Sequence, residues 1–589
     1  MLNRLELFLL LTVAALAFTA SAGRVVMALS GDGRTCDGAD VSTAFRKALR
    51  DLGPSGGTVV FPPGEYRIPV SAGEEMRFFI SNHDQSDVHR VVFPIVGATN
   101  VTVEATGALF VFDGKPIPFA VIDSVGVTLR GFGIDSSVPF MPELTITGFS
   151  GKRTRARLDP AVSPHRIEDG RLHFTGADWD FVATHAKLFD GRTRELVERS
   201  GDIPYRGHAR ALPSGELELD YDFARRGKGA QVGDVVVLRP GPRPAPAVFV
   251  YRAKGVLLED VAVHSALGMA LVAQRSADVS WRGTGIPESR RSGVFPRKAT
   301  GRYASAHADA THFSNVAGRA LVENCLFEGM MDDAMNVHST CLFITNVLSR
   351  TEIRCRYMHP QSVGFEVFRP HEKLRVIDGD TLEPQEKLLK VAAVRTLSAE
   401  EVVIVLADPL PDGFGVGDAV ENADWQCAAT FRGNVVRFNR ARGTLFTTPK
   451  PVVVESNLFD RVSGCAVLFS GDAHDWFESG ACRQSVIRGN VFRNCLTAYG
   501  SHGHSNAILS FCPTVHRIGE QRERYHRNIL IEDNLFETFD VPLVYGYSVD
   551  GLTYRRNRVV RNDAYRGVGK RPFIFEHCEN IDVGSIRVD

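Results

Sequence analysis

One cassette recurs along this chain: an apolar strand, a polar pair, an asparagine and two more apolar residues. Val454-Glu455-Ser456-Asn457-Leu458-Phe459, Val486-Ile487-Arg488-Gly489-Asn490-Val491-Phe492 and Ile531-Glu532-Asp533-Asn534-Leu535-Phe536 carry it. Phe431-Arg432-Gly433-Asn434-Val435-Val436 and Tyr554-Arg555-Arg556-Asn557-Arg558-Val559 are looser copies, and Val322-Glu323-Asn324-Cys325-Leu326-Phe327 has Cys325 in the asparagine position. From Asn434 to Asn457, and from Asn534 to Asn557, the interval is 23 residues. A period of that size marks stacked supersecondary units, and a unit built of strand without helix points to a right-handed parallel β-helix. Each coil adds a strand to each of several sheets, about 4.8 Å from its predecessor, and equivalent asparagines stack along the axis as a structural ladder.

Val41, Ala44, Phe45, Ala48 and Leu49 fall at helical spacing ahead of a short strand stopped by Pro62-Pro63-Gly64. A helix there covers the open end of the first coil. Two stretches break the coil rhythm with longer alternating segments, and both close on a Gly-Asp-strand pattern, Gly233-Asp234-Val235 and Gly417-Asp418-Ala419. The expected division is a signal peptide over 1–22, one all-β helix built from 23–142, 243–351 and 422–589, and two small β-barrel-like insertions over 143–242 and 352–421.

The chain has 589 residues, 44% of them hydrophobic, enough for a long core. Its 68 Lys and Arg balance 69 Asp and Glu, so no overall field draws nucleic acid or an anionic membrane. Arg4, the apolar run 7–18 and Ala20-Ser21-Ala22 read as a secretory signal cleaved after Ala22. That run is too short to span a bilayer, and the mature protein is expected outside the cytoplasm, secreted or periplasmic. Ten cysteines without a CxxC pair suggest buried small side chains, Cys325, Cys465, Cys495 and Cys578 among them, with one or two bridges at most. No metal site is expected.

Three acids stand out in otherwise strand-like surroundings: Asp309, then Asp332 and Asp333, which follow it by 23 and 24 residues. That is one coil, so the three converge on one face, provided a bend lets both members of the doublet look outward. Clustered carboxylates raise one another's proton affinity, so one remains a donor while its neighbours stay ionised. Glycoside hydrolysis needs that division. Turn-capping aspartates and a calcium site are the competing readings. The flanking His312, Asn336 and His338 favour catalysis.

The segments Ala308-Asp309-Ala310-Thr311-His312-Phe313-Ser314-Asn315 and Met331-Asp332-Asp333-Ala334-Met335-Asn336-Val337-His338 resemble glycoside hydrolase family 110, the inverting α-1,3-galactosidases. Ala273-Gln274-Arg275, the long run from Ser470 through Asp472, Trp476 and Glu478 to Gly480, and Gly503-His504-Ser505-Asn506-Ala507-Ile508 extend the likeness over most of the chain. The resemblance implies a secreted enzyme on a pectin-lyase-like β-helix. It removes terminal α-1,3-linked galactose from glycans without metal or organic cofactor. By analogy with β-helical polygalacturonases, Asp332 is expected as general acid, with Asp309 and Asp333 handling water. An acid-to-base separation near 6.5–9.5 Å is expected for inversion. Trp476 is expected to stack on the sugar, with Asp472 and Glu478 accepting its hydroxyls. His312, Asn336, His338, Gln274 and Arg275 complete the expected binding set.

A polygalacturonase-like hydrolase is the nearest alternative, but its anionic substrate asks for a basic strip that the residues next to the acids do not supply. A noncatalytic glycan-binding β-helix is the alternative of another class. Oligomeric state, including a homo-oligomer, stays open.

Overall fold

The computed structural model describes residues 23–27, 35–226, 229–285, 292–499, 506–584 and 587–588. The signal-peptide reading of 1–22 and the match at 503–505 lie outside them.

The chain is a parallel β-helix. Its first sheet has 13 strands from Gly23–Val26 to Glu579–Asp582, its second 13 from Thr35–Asp37 to Arg587–Val588. The third runs from Glu74–Arg77 to Phe573–Glu576 and is parallel after an antiparallel first pair. The helix Gly38–Leu52 covers one end, with Phe45 fully buried and its ring 5.1 and 5.9 Å from those of Phe93 and Phe61.

The cassette asparagines sit at the turn between first and second sheets. Asn434, Asn457 and Asn490 each donate through Nδ2 to Oδ1 of the asparagine one coil on, at 3.2, 2.9 and 2.9 Å, and Asn534 does the same to Asn557 at 2.9 Å. Each Nδ2 also reaches a main-chain carbonyl of the preceding coil, as in Asn490 to Val454 at 2.9 Å. Cys325, in the same position, ends the ladder by giving its N–H to Asn434 Oδ1 at 2.9 Å. The residue before each asparagine is left-handed: Ser456, Asp533 and Arg556 at φ of 57°, 56° and 53°, with glycine at 433 and 489 where the strain vanishes. Inside, Phe431, Phe459, Phe492 and Phe536 stack at centroid spacings of 6.0, 5.3 and 4.9 Å. The nine cysteines whose side chains are described are free, and eight are buried.

Among the described residues the first insertion, from strand Glu143–Ser150 to Val235–Arg239, is a seven-stranded antiparallel sheet with Ile203–Pro204 and Ala209–Ala211 as its outer strands. A three-stranded sheet extends it, joined where Leu172 N–H meets Gly207 O at 2.7 Å. The second insertion is a closed six-stranded barrel. Its first strand, Leu342–Ser349, starts before the expected boundary at 352, because the third-sheet strand Met335–Thr340 runs almost directly into it.

Candidate active site

Third-sheet strands Leu271–Gln274, Thr311–Ser314, Met335–Thr340 and Thr444–Thr447 stack in parallel, with His312 opposite Asn336 and Met335 opposite Thr444. Counting back along this register puts Asp309, Asp333 and Arg442 at equivalent places on three successive coils. The bonds Ala310 N–H to Asp333 O and Ala334 N–H to Gly443 O, both 2.8 Å, fix that alignment. The coil repeat here therefore relates Asp309 to Asp333, and Asp332 is the residue displaced by a bend at 331–334. Asp309 and Asp332, at 3% and 8% exposure, line a pocket of about 330 Å³; Asp333 has none and lies beneath it.

Nearest oxygens of the three acids lie within 4.8 Å of one another. Inversion sets roughly 6.5–9.5 Å between the carboxyl groups themselves and not between their nearest oxygens, so this contact neither meets nor breaks that spacing. Asp309 Oδ1 accepts the Asp333 N–H at 3.2 Å, and Arg442 binds Asp333 Oδ2 at 2.8 Å. Asp332 faces Arg243, Arg440 and Arg442 at 3.4, 3.5 and 3.9 Å. Burial pushes Asp332 upward, but those guanidinium groups outweigh it and hold its carboxyl below the usual range. Burial, then the Asp332 charge, raises Asp309 to about 7. Burial drives Asp333 well up, against the pull of Arg442. Proton affinity is thus lowered at Asp332 and raised at Asp309 and Asp333.

The opposite wall comes from 470–478. Asp472 Oδ1 accepts main-chain N–H groups of His474, Asp475 and Phe477 at 3.0, 2.7 and 3.0 Å, folding a tight loop that presents Trp476. Trp476 lines the pocket and stacks on His359 of the second insertion, centroids 4.0 Å apart. Glu478 is buried at the pocket wall, accepts from Asn82 at 3.0 Å, and is raised by burial to about 8. Asn336 also lines it, its buried Oδ1 and that of Asp332 accepting no hydrogen bond. Both are acceptors that a hydroxyl placed in the pocket would reach.

Four expected binding residues do not line the pocket. Gln274 is spent on the backbone, accepting from Ser81 N–H at 2.7 Å and donating to Phe79 O at 3.1 Å. Arg275 is buried against the Trp425 ring, paired with Glu372 at 2.9 Å. His312 and His338 lie behind the acids, bonded to one another. Sequence reading missed Asn82, Arg243, Arg440 and Arg442, which reach the pocket from distant segments. The three arginines are a basic strip of the kind the acids' own neighbours lack. Each is matched by an acid, with Arg440 also held by Asp202 of the first insertion at 2.6 Å.

The three clustered acids, or His312, His338 and Glu478, or Asp380, His474 and His516, are close enough to share a cation. Arginine charge already serves the first, and Arg517 pairs with Asp380 in the third.

An apolar ring, unpaired acceptors and two buried acids of unequal proton affinity in one pocket on a β-helix define a carbohydrate-active hydrolase site. Comparison with known proteins narrows the class. Profiles described as GLAA-B beta-barrel domain I and domain II match residues 143–236 and 352–420. "Alpha-1,3-galactosidase B" of Akkermansia muciniphila is 44% identical over 93% of this chain and 68% of its own length. That of Parabacteroides distasonis is 35% identical over 86% of this chain and 82% of its own. The family 28 exopolygalacturonase of Yersinia enterocolitica superposes over 96% of this chain and 79% of its own, at 9% identity and a TM-score of 0.36. The chain belongs to the family of these α-1,3-galactosidases, glycoside hydrolase family 110.

Proposed function

We propose that this protein is an exo-acting glycoside hydrolase that removes terminal α-1,3-linked galactose from glycans, with inversion, outside the cytoplasm. The carrying observation is the pairing of Asp309 and Asp332 in one pocket faced by Trp476. At about 330 Å³ the pocket is of the size of a small-ligand site. The names of the relatives supply the sugar and linkage.

Asp332, the more exposed acid, protonates the leaving oxygen, and Asp309 with Asp333 below it orients and deprotonates water. Family likeness supports inversion.

The test is galactose release from branched and linear α-1,3-galactosides and from polygalacturonate, with the first anomer formed followed by NMR. Initial β-galactose from the α-1,3-galactosides is expected. Initial α-galactose establishes double displacement instead, and glycan binding without release makes the protein a binding module.

A further inference from the structure

Behind Asp309 runs a hydrogen-bonded chain. Asp309 Oδ2 meets His312 Nδ1 at 2.8 Å, His312 Nε2 meets His338 Nε2 at 2.8 Å, and His338 Nδ1 meets the Ser339 carbonyl at 3.1 Å. Both rings are buried, and neither lines the pocket.

The far end sets the direction of the whole chain. A carbonyl only accepts, so His338 must carry its hydrogen on Nδ1. Neutral His338 then offers a lone pair at Nε2, so His312 must carry its hydrogen on Nε2 and offer a lone pair at Nδ1. The contact to Asp309 closes only if Asp309 Oδ2 holds a hydrogen. Taking that proton away reverses both imidazoles and leaves two acceptors facing each other at Ser339, or forces a charge onto a buried ring. Burial keeps His338 neutral down to about 4 and His312 neutral well below its ordinary range. His338 and Arg243 also disfavour an imidazolium on His312, while the Asp332 charge favours one and is outweighed; His83, in turn, is disfavoured as a cation by His312. Asp332, Asp333, Glu478 and Arg442 are the other charged or titratable groups around Asp309 and the rings.

We propose that His312 and His338 are positioning residues that hold a proton on Asp309, with the Ser339 carbonyl as the fixed end that orients the chain. They are not sugar ligands. The idea deepens the hydrolase reading and, for its kinetic arm, rests on it. Asp309 enters the catalytic cycle as a neutral carboxyl. Its Oδ2 proton points to His312 and not into the pocket, so Asp309 becomes a base once that proton has left to solvent.

His338→Asn tests this. An asparagine amide still reaches the Ser339 carbonyl but not His312, freeing His312 to place its hydrogen on Nδ1 and stabilise the Asp309 carboxylate. His338→Gln restores a partner for His312 without a fixed direction. The kcat/KM profile on an α-1,3-galactoside is expected to have one limb, the one abolished in Asp309→Asn, that moves down by about one pH unit in His338→Asn and by less in His338→Gln. A raised KM with that limb unmoved, in variants with wild-type unfolding midpoints, overturns the proposal and restores the sugar-ligand role. A second arm needs no turnover. At pH 6 the wild-type infrared spectrum should contain a carboxylic-acid C=O band that Asp309→Asn removes and His338→Asn weakens. Absence of the band overturns the proposal, and its presence in a protein that releases no galactose would fault only the hydrolase reading.

Discussion

Asp333 and Arg442 occupy equivalent positions on successive coils and form an ion pair of 2.8 Å in which the Asp333 side chain has no exposed surface. The partner is 109 residues away in sequence, because the second insertion lies between the two coils. The pair forms the floor of the pocket and turns the Arg442 guanidinium toward Asp332.

Arg442→Met should therefore destabilise the protein by about 3–5 kcal/mol, the usual result of stranding one member of a buried ion pair. Arg442→Lys keeps the charge but cannot serve both acids with one planar fork, and its loss should be smaller. Urea denaturation gives both values. Equal stabilities for Met and wild type would mean that Asp333 is simply protonated without its partner.

Asp332→Asn and Asp309→Asn should separate acid from base. If Asp332 is the donor, its amide variant loses at least 100-fold on a natural galactoside but recovers on an aryl galactoside whose leaving group needs no proton. Asp309→Asn then stays slow on both. The arginines around Asp332 and the raised Asp309 favour the reverse outcome in the resting protein, and the leaving-group comparison decides between them.

The scaffold was legible because coil-forming residues repeat locally. The asparagine cassette and the Val41 to Leu49 periodicity each reported on one coil at a time. Asp309 and the Asp332-Asp333 doublet were legible for the same reason, since one uninterrupted coil separates them. Arg440 and Arg442 were not, because their register with the acids passes through an inserted barrel. Arg243 and Asn82 enter from turns with no repeat at all. His312 and His338 were expected as ligands and lie behind the pocket instead, because a polar residue in an apolar strand looks the same from sequence whether it faces a ligand or another buried polar group.

Asn490→Ala should show what one rung of the ladder contributes. It removes the acceptor of both the N–H and the Nδ2 of Asn457, at 3.0 and 2.9 Å, and the donor to Val454 O. Each buried group left unpaired costs roughly 1–3 kcal/mol, so a loss of about 3 kcal/mol or more is expected. Activity per folded molecule should be unchanged, since Asn490 is not among the residues lining the pocket. A loss below about 1 kcal/mol would mean that water replaces the rung.

Glu478 gives the protein a pH dependence of stability with a definite sign. Burial, with the Asp472 and Asp309 charges, lets the folded protein keep a proton on Glu478 up to about pH 8. An unfolded glutamate loses it near ~4.3. Between those values the folded state binds the additional proton, so this stabilisation is complete at low pH and is lost as pH rises through about 8. Buried His338 and His83 act in the opposite direction, but an unfolded histidine is neutral above roughly 6.5, so their effect is spent there. Glu478→Gln resembles the protonated acid and does not titrate. Its stability relative to wild type should therefore grow from pH 5 to pH 8 and then level off, measured by urea denaturation at each pH. A difference that does not change with pH would show that Glu478 is ionised in the folded protein, its charge met at the pocket wall by Asn82 and a protonated His338.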